Sequence, residues 1–66
     1  MTTRRDTVIE VDFEPTAFII RHLCPEVTNL AIYWSVLKNK WCISCKCTEY
    51  EAGLIEKAFN WRLPWT

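Results

Sequence analysis

Trp41-Cys42-Ile43-Ser44-Cys45-Lys46-Cys47 gathers three of the chain's four cysteines and one of its four tryptophans into one short stretch, which reads either as a β-strand or as a metal knuckle. The neighbouring segment, Val27 to Leu37, bears on the choice. As a helix it has Pro25 and Glu26 at first-turn positions and Val27, Leu30, Ala31 and Trp34 at helical spacing. As a strand it has Ile32, Tyr33, Trp34 and Val36, all strong β formers.

Pairing the two stretches favours the strand. With Lys38-Asn39 as a two-residue turn, Leu37 pairs with Lys40, and Val36, Trp34, Ile32 and Leu30 stand opposite Trp41, Ile43, Cys45 and Cys47. Those eight side chains share one face. Ala31, Tyr33, Ser35 and Leu37 meet Lys46, Ser44, Cys42 and Lys40 on a more polar one. A slip of one residue would exchange the faces, so a register that sorts both strands together is stronger evidence than the propensity of either. A four-residue loop from Leu37 to Lys40 keeps the same sorting.

On the C-terminal side, Thr48-Glu49-Tyr50-Glu51 is a capping box, with the Thr48 hydroxyl and the Glu51 carboxylate each placed to take the other's amide proton. A helix is expected from there, with Leu54, Ile55, Ala58 and Phe59 as its apolar stripe and Asn60 as a stop. Gly53 costs this helix ~1 kcal/mol relative to alanine, and a close crossing over another element would explain it. Trp61-Arg62-Leu63-Pro64-Trp65 follows as an aromatic tail.

On the N-terminal side, Ile9, Val11 and Phe13 alternate with Glu10, Asp12 and Glu14, the period of a half-buried strand starting at Thr7. Residues 1–6 read as a flexible polar tail, and residues 7–66 as one compact domain. After Pro15, Thr16 can cap a short helix containing Phe18, Ile19, Ile20 and Leu23, which Pro25 ends by disfavouring helical geometry at Cys24. The expected fold class is therefore α+β: a small β-α-β-β-α domain, with a three-stranded antiparallel sheet, Trp41 to Cys47 as the central strand and both helices on one face.

Eight basic and eight acidic residues cancel, which removes the electrostatic footprint of a non-specific nucleic-acid binder. Tyr33, Lys40 and Lys46 on the outer sheet face suit a single strand of nucleic acid, but Glu10, Asp12 and Glu14 weigh against it and cross-strand ion pairing accounts for the lysines. The polar start and the absence of a 20-residue apolar run argue for a soluble, cytoplasmic protein without a membrane partner, its cysteines free or metal-bound rather than disulfide-linked.

The metal alternative is one structural zinc held by Cys42, Cys45 and Cys47 with Cys24, or His22 in its place. Against it, a strand sends Cys42 to the face opposite Cys45 and Cys47. As plain packing groups, Cys45 and Cys47 are small core hydrophobes and Cys42 a partly exposed thiol. A Cys–His nucleophile pair lacks an orienting acid, and a C-x-x-C redox pair lacks its setting at a helix N-terminus.

With half of its residues hydrophobic, and four tryptophans, two tyrosines and three phenylalanines among them, so short a chain has apolar surface to spare. The expectation is a non-enzymatic protein–protein interaction module, a small accessory regulator or inhibitor that docks on a larger protein and can form a homodimer. Its candidate partner-binding residues are Tyr33, Tyr50, Trp61, Arg62 and Trp65.

Overall fold

A computed structural model describes residues 3–60. Strand β1 runs over Arg5–Val11, helix α1 over Ala17–Leu23, strands β2 and β3 over Thr28–Ser35 and Lys40–Cys47, and helix α2 over Glu49–Asn60. The sheet order is β1-β3-β2 with both pairings antiparallel, so the cysteine-rich strand is central, as expected. β1 and β2 consequently run parallel to each other on either side of β3, and α1 lies in the crossover between them.

The hairpin turn is four residues, Val36 to Asn39, and Ser35 pairs with Lys40. This moves the β2–β3 pairs from Ala31 to Ser35 two residues from the expected register: Trp34 meets Trp41 and Ile32 meets Ile43. Two is a full side-chain period, so the faces survive the shift. Asn39 makes the longer turn possible by adopting left-handed φ, 55°, while the Ser35 hydroxyl accepts the Lys38 amide proton at 3.3 Å. A second irregularity was not legible in the sequence. Asn29, at φ 56°, and Leu30 together oppose Cys45, a bulge between the Thr28–Lys46 and Ala31–Ser44 pairs.

Ile9, Val11, Ile43, Cys45 and Cys47 from the sheet pack with Ile20 and Cys24 of the α1 end and Ile55 and Phe59 of α2, so both helices cover one face. The edge-on pair Trp34 and Trp41, with ring centroids 5.4 Å apart, extends that face toward the hairpin. The α2 stripe is rotated from expectation: Ala52 packs on the core and Ala58 is exposed. Gly53 faces open space, with nothing within 4 Å of a β-carbon placed there, so no close crossing explains it. The capping box forms as read, Thr48 N–H donating to Glu51 Oε1 at 2.9 Å and Glu51 N–H to the Thr48 hydroxyl at 3.1 Å.

Three expectations near the N-terminus need correction. β1 takes in Arg5 and Asp6, assigned above to the tail, and Arg4 just before it reaches Glu26 at 2.5 Å and Glu51 at 3.4 Å. Phe13 leaves the strand, its N–H donating to the Phe59 carbonyl at 3.2 Å, and its ring is exposed. Thr16 caps α1 with no side-chain hydrogen bond; its carbonyl instead accepts the Ile20 amide proton at 3.1 Å.

Candidate functional site

The cysteines divide between the two sides of the sheet. On β3, Cys45 and Cys47 share the helix-covered face with Trp41 and Ile43, and Cys24 joins them from the end of α1. Cys42 points the other way, between its cross-strand partners Glu10 and Tyr33. It is 2% exposed although no described helix covers that side, which corrects the expectation of a partly exposed thiol. On its flanks, Lys38 reaches from the hairpin turn to an ion pair with Glu10, and Tyr33 is its cross-strand neighbour on β2.

The four-cysteine zinc set is therefore not assembled around one point, and His22 is exposed while Cys24 is buried. Among the described residues no group of three or more His, Cys, Asp or Glu side chains is placed to hold a metal ion. Burial pushes the Cys45 thiol up to about 12, with a hydrogen bond to Cys47 adding to it, and burial beside Glu51 also raises Cys24. Both are neutral thiols near pH 7, packed as small apolar groups.

The open sheet face carries Asp6, Val8 and Glu10 of β1, Cys42, Ser44 and Lys46 of β3, and Ala31 and Tyr33 of β2. Its charges are matched across strands. Glu10 takes Lys38, a hydrogen bond that holds its carboxyl below and the Lys38 ammonium above their usual ranges, and Lys40 sits 3.6 Å from Asp12. Cross-strand pairing was expected, but with Lys38 counted as a turn residue and not as a partner. Asp6 stands opposite Lys46 in the register. The lysines that suited a nucleic-acid backbone are thus engaged with or aligned to carboxylates.

Of the candidate partner-binding residues, Tyr33 is exposed on the open face. Tyr50 is exposed in the first turn of α2, beside an open groove of about 590 Å³ lined also by Thr3, Arg5, Thr7 and Cys47. The sheet separates the two tyrosines, so they form no common patch. Trp61, Arg62 and Trp65 lie outside the described residues.

The structure exposes a different apolar set. α1 buries Ile20 alone and turns Phe18 (78% exposed), Ile19 and Leu23 outward. The hairpin tip shows Val36 and a fully exposed Leu37. The sequence names Phe18, Ile19, Ile20 and Leu23 together as the apolar residues of this helix, and two turns with apolar residues on several sides give no periodicity from which to choose the inward one.

No helix of the described residues is long and apolar enough to cross a membrane. No family model matches the chain, and neither the curated proteins nor the solved structures searched contain a match to it.

Proposed function

We propose that this chain is a non-enzymatic interaction module, a small accessory regulator or inhibitor that docks on a larger protein. The observation behind this reading is the outer face of α1, where Phe18, Ile19 and Leu23 are presented to solvent from a helix that spends one side chain on the core. Exposed apolar clusters of this kind on small proteins mark binding surfaces, and large apolar anchors dominate the energy of the interfaces they enter. The acidic and basic side chains beside them, Arg21, His22 and Glu26, would form the polar rim.

The test uses the full chain and a double variant, Phe18→Ser with Leu23→Ser, in which buried Ile20 is untouched. A partner identified by affinity capture from the source cells is purified, and its affinity for both forms is measured by calorimetry. Removing two anchors is expected to weaken binding by about 30-fold or more, at roughly 1–2 kcal/mol each. Equal affinity of the two forms, with the variant's melting temperature preserved, refutes this face as the docking surface. A chain that binds no protein refutes the function.

A further inference from the structure

The two edges of the sheet are treated differently. At β1, the Asn60 side-chain amide engages the backbone as a neighbouring strand would, its Oδ1 accepting the Asp12 amide proton at 2.6 Å and its Nδ2 donating to the Glu10 carbonyl at 3.5 Å. Phe13 N–H is taken by the Phe59 carbonyl. β1 also carries the charges of Arg5, Asp6 and Glu10. Charges and capping groups are the usual means by which an edge strand is kept from pairing with another chain.

β2 has neither. Its eight residues, Thr28 to Ser35, include no charge and no proline, and no further strand lies beside it among the described residues. Asn29 and Leu30 interrupt its start with the bulge, leaving Ala31 to Ser35 as a regular, unprotected edge.

We propose that this edge is occupied by a second copy of the same chain, β2 pairing antiparallel with β2 across a two-fold axis to give a continuous six-stranded sheet. The faces restrict the register. An antiparallel self-pairing centred on a residue keeps helix-side against helix-side, whereas one centred between residues crosses them. With Ile32 on the axis, Leu30 meets Trp34 of the second copy on the helix side, and Ala31 meets Tyr33 on the open side. Each of these groups is half-buried or exposed in the single chain. The facing pairs from Leu30 to Trp34 are apolar or aromatic, Ser35 meets the uncharged Asn29, and no like charges oppose each other. A foreign strand has no such guarantee of neutrality, whereas a second copy supplies it by symmetry. The register also brings Val36 and the fully exposed Leu37 to the level of the second copy's Val27 and Thr28, accounting for an apolar hairpin tip that is exposed in the single chain. This edge is separate from the outer face of α1, so either proposal can fail without the other.

The test measures mass in solution by light scattering and by native mass spectrometry. The wild-type chain is expected at twice its 7.9 kDa mass. Two double variants, Ala31→Glu with Tyr33→Glu and Ala31→Lys with Tyr33→Lys, place like charges opposite each other on the open face, away from the core. Each is expected to raise the dimer dissociation constant by at least about 100-fold and to run as a monomer, and mixing the two is expected to restore a dimer containing one of each. A monomeric wild type overturns self-pairing and leaves the edge to another protein's strand. A wild-type dimer that survives both charge variants overturns the β2 interface. Should a variant not fold, amide exchange on the wild type decides: protection of Leu30 to Trp34 that rises with protein concentration supports the pairing, and protection independent of concentration overturns it.

Discussion

Replacing Gly53 with alanine should stabilise this protein. The residue is the fifth of the twelve in α2, in the helix interior, and its backbone does not adopt positive φ. A β-carbon there meets nothing within 4 Å, so the substitution brings no steric cost. What remains is the difference between the two residues in the unfolded chain, where glycine has more conformations to lose, together with its weaker intrinsic tendency to be helical. In an exposed helix interior the difference is ~1 kcal/mol. For a domain of this size that corresponds to a melting temperature higher by roughly 4–8 °C. The assay is thermal melting followed by far-ultraviolet circular dichroism, with urea unfolding beside it, at one fixed protein concentration so that self-association contributes equally to both chains. The urea midpoint should rise with the slope unchanged, since no additional surface is buried. A melting temperature equal to or below the wild type, at equal slope, refutes the reasoning, because it means that the outer side of α2 at Gly53 is covered by something that a methyl group displaces.

The capping box should make stability depend on acid. The Thr48 amide, and then Arg4, hold the Glu51 carboxyl below its usual value of 4.5 in the folded chain. The stabilisation is therefore complete above that value and is lost as pH falls below it and through the lower folded value, so Glu51→Gln should flatten the acid limb of the stability curve. Thr48→Ala should cost about 1 kcal/mol at neutral pH, read from urea unfolding, and an unchanged midpoint would count against the cap. At the hairpin, Asn39→Gly should leave stability equal or slightly higher, while Asn39→Val should cost on the order of 1–2 kcal/mol because a β-branched residue resists the left-handed conformation; equal melting of the two variants would contradict the turn geometry.

The sequence by itself determined the element order and much of the face sorting. Period-two alternation at Ile9 and Val11, the sorting of Ile32 and Trp34 onto one face with Trp41 and Ile43, and the Thr48–Glu51 box are local patterns, each set by backbone geometry over a few residues. The opposite direction of Cys42 from Cys45 and Cys47 follows from that alternation, and the central position of Trp41 to Cys47 from short-loop and crossover rules. Tertiary structure decided what alternation cannot carry. The turn is longer than expected, and Asn29 adds a bulge, because both asparagines adopt left-handed φ, a choice their residue type permits without requiring. Cys42 is buried on an open face, and a turn lysine pairs with Glu10 beside it, a contact between residues far apart in sequence. α1 shows Phe18, Ile19 and Leu23 to solvent and puts only Ile20 into the core, an orientation set by how the helix packs and not by its apolar pattern. The closing of the β1 edge also appears only in the assembled fold, because Asn60 reaches Glu10 and Asp12 from the far end of α2.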